Sequence, residues 1–282
     1  MRSIAWNYAK TLKSVLPGVR QMSSSAPLTT VEVNDKTGIA TLTLNRPPVN
    51  GLNLDLLTSI KKSIDEIENN RSKGLILTSS SKTIFSAGLD LMEMYKPDPE
   101  RLKSFWTALQ DAWIALYGCN VPSVALVNGH SPAGGCLLAT SCEYRVMLPN
   151  FTIGLNETKL GIVAPDWFMT TFLNVLPRRT AENALTQGKL FTTEEALQAG
   201  LIDEVAATKE EALAKCEKFI ASFAKVNPIA RGITKQKFRK AGLDQMVMTR
   251  EQDLQEFLFV INQPMVQKGL GMYLEGLKAK KA

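Results

Sequence analysis

The chain reads as an α/β fold with a mostly parallel sheet and a helical C-terminal part. Three observations predict it. Short, apolar, β-branched runs at residues 74–78 and 121–127 alternate with longer segments of helical periodicity, the pattern of strands joined by crossover helices. From Asp166 onward that alternation gives way to almost unbroken helical patterning. Hydrophobic residues make up 45% and charged residues 21% of the 282, enough apolar material for a sizeable core in one large domain or two small ones.

Taken in order, residues 31–33 and 39–44 alternate as paired strands do, and the turn-like 34–38 joins them into a hairpin. A loop with Pro47, Pro48 and Gly51 follows. Leu56, Leu57, Ile60, Ile64 and Ile67 then mark one face of a helix whose Lys61, Lys62, Asp65, Glu66 and Glu68 form a solvated face. Residues 74–78 predict a strand and 79–82 a polar loop. Within 85–91, Phe-Ser-Ala-Gly-Leu-Asp-Leu, Gly88 directly precedes a helix-like run over 89–94. A longer helix is expected over about 99–117, with Leu102, Phe105, Trp106, Leu109 and Trp113 at core spacing. Strand 121–127, helix 134–142 and strand 143–148 repeat the β-α alternation, and 151–154 adds a short strand. Thr192 with Glu195 makes a capping box for a helix ending at Gly200. Residues 201–205 form a short extended run, and 210–226, 229–240, 244–261 and 265–277 are amphipathic helices.

The formal charge of +6 invites an RNA-binding or membrane-surface reading. Yet Arg2, Lys10, Lys13 and Arg20 all precede the first acid, Glu32, so two thirds of the excess sits in a leader. A basic, acid-free, serine-containing start with scattered apolar residues fits a mitochondrial transit peptide better than a secretory signal, which needs an uninterrupted apolar stretch. The expected organisation is a transit peptide and disordered leader at 1–27, a β-α core at 28–195 and a helical region at 196–282. No later segment reaches the roughly 18 apolar residues of a membrane span, so an integral membrane protein is not expected. The remainder also lacks the aromatic-basic interleaving of nucleic-acid binders, so no nucleic-acid partner is expected. Cys119, Cys136, Cys142 and Cys216 include no Cys-x-x-Cys pair and His130 is the single histidine, which weighs against a disulfide framework or a zinc site. Cys136 and Cys142 read as small buried apolar residues. A Ser-His-Asp triad is disfavoured unless His130 supplies it.

Residues 128–137, Asn-Gly-His-Ser-Pro-Ala-Gly-Gly-Cys-Leu, lie where a strand gives way to a helix. Ser131 is expected as N-cap and Pro132 as the first helical residue. The amides of Ala133 and Gly134 would then lack helical partners at the positive end of the helix dipole, and a glycine there lets a ligand oxygen approach the backbone. Those are the ingredients of an oxyanion site. Alone, a Gly-Gly helix start is more often tight packing, and a Ser131 cap would itself consume one amide. Glu157 sits between a strand end and the Gly/Pro-punctuated loop 155–165; without context such a carboxylate is a surface or capping group.

Taken together, 85–91, 128–137 and 153–165 resemble, in wording, order and spacing, the crotonase (enoyl-CoA hydratase/isomerase) superfamily, over roughly Val31 to the C terminus. The resemblance implies a crotonase-like fold of repeated ββα units with a helical C-terminal trimerisation region, a homotrimer, and an acyl-CoA thioester ligand. No cofactor is implied, coenzyme A being part of the substrate, and no metal. The family's oxyanion hole of two backbone amides maps onto Leu89 and Gly134, its substrate-binding positions onto Ala87, Gly88, Asp90, Leu91 and Asn156, and its acid/base onto Glu157. Two residues past Gly135, where the family's hydratases carry a second glutamate, stands Leu137. That departure implies the Δ3,Δ2-isomerase branch: conversion of cis or trans 3-enoyl-CoA to trans-2-enoyl-CoA in β-oxidation of unsaturated fatty acids, in the mitochondrial matrix. Hydration is the competitor within the family, and non-catalytic RNA or membrane binding the competitor outside enzymes. Asp166 lies outside the isomerase pattern and is a lesser candidate for a second carboxylate, and His130 reads as a loop residue. Apolar neighbours such as Leu137, Ile162 and Trp167 are expected to raise the Glu157 pKa by desolvation.

Overall fold

The sheet is laid down on one hairpin. Strands β1 (Thr29–Val33) and β2 (Ile39–Leu44) pair antiparallel, and the turn between them is closed by the Asn34 side chain, whose Oδ1 accepts from the amides of Lys36 and Thr37. The computed structural model describes residues 26–279; the expected transit peptide lies almost wholly outside them.

Helix α1 (Leu54–Asn69) is capped by Asn53 and buries Leu56, Leu57, Ile60, Ile64 and Ile67, the stripe expected from their spacing. Strand β3 (Gly74–Ser79) runs parallel to β2. Helix α2 (Pro99–Gly118) follows, with Asp98 as cap and Pro99 at its first position. Strand β4 (Ser123–Val127), the two-residue β5 (Ser131–Pro132), helix α3 (Gly134–Ser141) and strand β6 (Tyr144–Met147) come next. After β7 (Thr152–Gly154) and a 3-10 turn (Glu157–Leu160) the chain forms α4 (Asp166–Leu173), α5 (Arg178–Gln187), β8 (Phe191–Thr192) and α6 (Thr193–Ala199). The capping box at Thr192 and Glu195 and the Gly200 cap form as expected. Strand β9 (Glu204–Val205), α7 (Lys209–Ala221), α8 (Pro228–Ile261) and α9 (Pro264–Ala279) complete it.

The main sheet has the order β1-β2-β3-β4-β6-β9 and is parallel beyond the hairpin; a small second sheet has the order β5-β7-β8. Strand alternation divides the core into two layers. Leu75, Leu77, Ala125 and Val127 face α1, α2 and α3 in the larger cluster. Ile76, Val124 and Leu126 face the other way, onto Ala212, Cys216 and Ile220 of α7. The sheet is therefore covered on both faces, as a parallel sheet requires, and β9 and α7, from beyond residue 196, contribute to that core. All four cysteines are free and buried. Among the described residues no helix is long and apolar enough to cross a membrane.

The structure corrects two local expectations. The helices expected at 229–240 and 244–261 are one 34-residue helix, α8. Gly242 does not break it, because a Lys240–Asp244 ion pair spans it and the glycine lies against Tyr117 and Thr170. The helix-like run at 89–94 is only a 3-10 turn, Leu91–Glu93, capped by the Asp90 carboxylate.

Candidate active site

The loops after β3 and β4 meet beyond the carboxyl ends of these parallel strands, the usual ligand position in an open α/β sheet. Two buried asparagines hold them: Asn128 ties the loop after β4 to the loop after β3, and Asn50 ties the loop after β2 to the same loop. Asn128 donates from Nδ2 to the Ser79 and Ser81 carbonyls, at 3.0 and 2.7 Å, and accepts from the Ser79 amide. Asn50 donates to the Phe85 carbonyl at 3.0 Å and to Ser79 Oγ at 2.7 Å. Neither was singled out from sequence as a site-building residue; the available signal was an asparagine at the end of an apolar strand or in a Pro-rich loop.

This scaffold sets the direction of the Leu89 amide. Leu52 N–H donates to the Gly88 carbonyl and Asp90 N–H to the Leu52 carbonyl, at 2.8 and 3.0 Å. Those bonds occupy the peptide groups on either side of Leu89 and turn its own N–H away from Leu52. The opposing loop comes very close: a Cβ on Gly88 (φ +87°) would lie 2.9 Å from Ala133 Cβ and 3.1 Å from Gly134 N. A side chain at residue 88 would push apart the two amides the family pattern pairs.

At the start of α3 the expected cap is replaced. Ser131 and Pro132 are strand residues paired with β7, and Ala133 takes the N-cap position without a side-chain hydrogen bond. The Ala133 amide is used by the Gly154 carbonyl at 2.8 Å, so of the two candidate amides only Gly134 N–H, first in the helix, is left without an acceptor among the described residues. The reason is steric and directional. Pairing with β7 holds Ser131 extended two residues before the cap, and Ala133 carries the chain into the helix at φ 51°, ψ −124°, a conformation that strains a non-glycine residue by about 1–3 kcal/mol. Gly135 serves packing, since a Cβ there would stand 2.5 Å from the Ser86 carbonyl oxygen.

Glu157 enters from the third segment, as the first residue of the 3-10 turn after β7. It is 5% exposed, and its Oε2 has no hydrogen-bond partner among the described residues. Burial pushes its carboxyl from 4.5 up to about 7, opposed only in part by its own backbone amide. Two small cavities meet at this side chain. One, about 80 Å³, is walled by Ala87, Leu89, Ala133, Asn156 and Tyr273. The other, about 40 Å³, has Trp106, Phe168, Phe257 and Ile261 in its wall. Leu89, Met94, Glu157 and Ile162 belong to both. The Asn156 carboxamide oxygen, in the first wall, is also buried and unpartnered. Two orphaned oxygens side by side in an otherwise apolar cavity mark a place that a ligand completes.

The remaining candidates fall in different places. Ala87 and Leu91 line the larger cavity. Asp90 does not: its carboxylate pairs with Arg46 at 2.7 Å and caps the 3-10 turn. Asp166 is solvent-exposed on α4 and outside both walls. His130 Nδ1 accepts from the Thr152 amide, and its ring stands edge-on to Phe151. Of the apolar neighbours expected for Glu157, Ile162 is in both walls, whereas Leu137 and Trp167 are buried behind them. Trp106 and Phe168, read from sequence only as core and helix residues, take that role.

Comparison with known proteins agrees with this geometry. The enoyl-CoA hydratase/isomerase family matches residues 34–281. The chain is 43% identical to the mitochondrial enoyl-CoA delta isomerase 1 of Rattus norvegicus over 272 residues, 95% of this chain and 93% of that protein. It is 42% identical to the Homo sapiens protein of the same name, covering 94% and 87%. Its fold overlays the crystal structure of human mitochondrial delta3-delta2-enoyl-CoA isomerase with a TM-score of 0.87, at 41% identity, covering 90% of this chain and 100% of that one. An enoyl-CoA hydratase from Bacillus halodurans overlays with a TM-score of 0.78 at 25% identity, covering 87% and 99%. The crotonase-like α/β architecture expected from three short motifs is the one found, and this chain belongs to the enoyl-CoA hydratase/isomerase family.

Proposed function

We propose that this protein is an enoyl-CoA isomerase that shifts the double bond of a 3-enoyl-CoA, cis or trans, to trans-2-enoyl-CoA, a step needed in β-oxidation of unsaturated acyl chains. One observation carries the reading: among the described residues Glu157 is the only carboxylate in the walls of the two cavities, and burial pushes its pKa up to about 7.

The chemistry follows from that single group. With the thioester oxygen on the amides of Leu89 and Gly134, ionised Glu157 takes a proton from C2. The C2–H electron pair becomes part of a dienolate whose negative charge gathers on the thioester oxygen. The protonated Glu157 then returns a proton to C4, the double bond settles between C2 and C3, and the carboxylate is regenerated. No atom is gained and no electron is lost. A carboxyl that ionises near the working pH is suited to both halves, and amides aimed at a developing oxyanion are worth about 10²–10³ in rate for each donor. Hydration must also activate a water, work normally shared between two carboxylates.

Ala87, Gly88, Leu91 and Asn156 are assigned to the substrate around this centre. Asp90 acts from behind it, by holding the 3-10 turn. Coenzyme A enters as part of the substrate, and the proposed cycle calls for no separate cofactor or metal. We assign the protein to the mitochondrial matrix, on the basic leader and the mitochondrial names of its relatives. We also assign a homotrimer, supported by apolar side chains left in solvent on α8 and α9, among them Phe238, Met248 and Met265, each more than four-fifths exposed. Light scattering showing a stable monomer at micromolar concentration would remove the trimer. The function is tested by following 3-hexenoyl-CoA conversion alongside hydration of 2-hexenoyl-CoA; hydration outpacing isomerisation overturns it.

A further inference from the structure

We infer that Trp106 and Phe257, locked together by Asp253, form the wall that limits how long an acyl chain this enzyme accepts. The inference rests on the isomerase reading and extends it to substrate choice. The two cavities share Glu157 and Leu89, so a substrate whose thioester oxygen sits on the amides carries C2 to C4 past the carboxylate, and its tail enters the smaller cavity. Trp106, Phe168, Phe257 and Ile261 line that cavity alone and therefore face the tail rather than the thioester. At about 40 Å³, the space holds about three water-sized groups at roughly 10–15 Å³ each. Beyond C4 it takes a few carbons, the tail of a six- to eight-carbon chain.

The wall is held unusually firmly for an apolar surface. Trp106 and Phe257 stack with centroids 3.6 Å apart and planes 7° from parallel. Asp253, one helical turn before Phe257 on α8, accepts the Trp106 indole N–H at 2.7 Å on Oδ2, together with Gln110 Nε2 at 2.7 Å. Its other oxygen accepts the Trp167 indole N–H at 3.0 Å. One turn of α8 thus grips Trp106 by its edge and by its face. Trp167 is wedged between Trp113 and Phe168, at centroid distances of 5.3 and 4.5 Å, so the indole cannot swing aside without breaking that packing. Asp253 touches no substrate in this scheme; it is a positioning residue.

A pocket with no room for one more methylene discriminates by roughly 10–200-fold. The test is kcat/KM for 3-hexenoyl-, 3-octenoyl-, 3-decenoyl- and 3-dodecenoyl-CoA with wild type, Phe257→Ala and Asp253→Asn. Phe257→Leu stands in if the alanine variant does not fold. Wild type is expected to fall at least about tenfold from the octenoyl to the dodecenoyl substrate. Phe257→Ala should shift the dodecenoyl-to-octenoyl ratio about tenfold toward the longer chain. Asp253→Asn should shift it in the same direction by less, through KM more than kcat, a change that mere loss of stability would not produce. Equal use of all four chains by wild type, or ratios unmoved in the variants, overturns the inference while leaving the isomerase reading intact. If wild type converts none of the four, both fall together.

Discussion

Replacing Glu157 by glutamine separates the two things that the buried carboxyl does. Glutamine keeps the size and loses the charge and the base. The folded-state pKa is raised from 4.5 to about 7, so the folded protein holds this proton more tightly than the unfolded chain does. Stability associated with the protonated group is therefore fully present below pH 4.5 and is lost as pH rises through about 7. At about 1.4 kcal/mol per pKa unit, ionising the buried group costs ~3 kcal/mol. Glu157→Gln lacks that titration, and the burial cost of its amide is the same at every pH. Its stability relative to wild type should therefore grow by up to ~3 kcal/mol between pH 4.5 and about 8, some 6–10 °C in Tm. Catalysis moves oppositely: above about pH 7, where the wild-type base is ionised, isomerisation should fall about 10²–10⁴-fold, while acyl-CoA affinity survives. Wild-type kcat/KM should rise with pH and level off above about 7, as the base ionises. Melting curves of both proteins across this range, with turnover of 3-hexenoyl-CoA, decide the matter. A stability difference that does not change with pH, or a variant turning over at the wild-type rate, would refute the assignment.

Three further substitutions test the rest of the site. Gly135→Ala places a methyl 2.5 Å from the Ser86 carbonyl and should displace the Gly134 amide, lowering kcat by roughly 10²–10³ along with Tm; wild-type kinetics would mean that this contact does not set the amide. Asp166→Asn should leave isomerisation unchanged, because Asp166 is exposed and outside both cavities; a large loss of kcat would restore it as a second carboxylate. Leu137→Glu buries a carboxyl where leucine is 1% exposed. It should lower Tm, more at high pH than at low, and bring at most slight hydration of 2-enoyl-CoA; efficient hydration would show that the water site is already built.

Much of this was readable before any coordinates. Helical stripes such as Leu56 to Ile67 and the alternation of β1 and β2 are local patterns with a single way to bury their apolar side. The Thr192 capping box is equally local. Ser131 is misleading because its capping propensity competes with a pairing to Ile153 of β7, 22 residues ahead in the chain. The division of α8 into 229–240 and 244–261 fails differently: Gly242 between them is a weak helix breaker, and the α2 and α4 side chains packed beside it outweigh the roughly 1 kcal/mol it costs. The walls of the site were least legible. Glu157, Trp106 and Phe257 come from three separate elements, and only the packing of the 3-10 turn after β7 against α2 and α8 brings them to one cavity. Sequence periodicity could mark Trp106 as core, but it could not bring it beside Glu157 and Phe257.

The site is also where the fold is least satisfied. Ala133 is held at positive φ, the Leu89 and Gly134 amides and the Asn156 oxygen lack partners among the described residues, and Glu157 cannot ionise without a penalty. None of these helps the protein to fold, and a core that spans both faces of the sheet offsets them. Each is relieved by one ligand chemistry. In the proposed cycle a thioester oxygen would satisfy the two amides, and a C2 proton would neutralise the carboxylate. The favourable change is largest when the charge has moved from Glu157 to the oxygen, which is the dienolate rather than the bound substrate. Binding energy is thus directed at the intermediate. A second carboxylate in place of Leu137 would put another negative charge into the same apolar enclosure and raise the pKa of both groups. That would hinder the single-base shuttle, and it gives a physical reason for an enzyme working with one glutamate to keep leucine there.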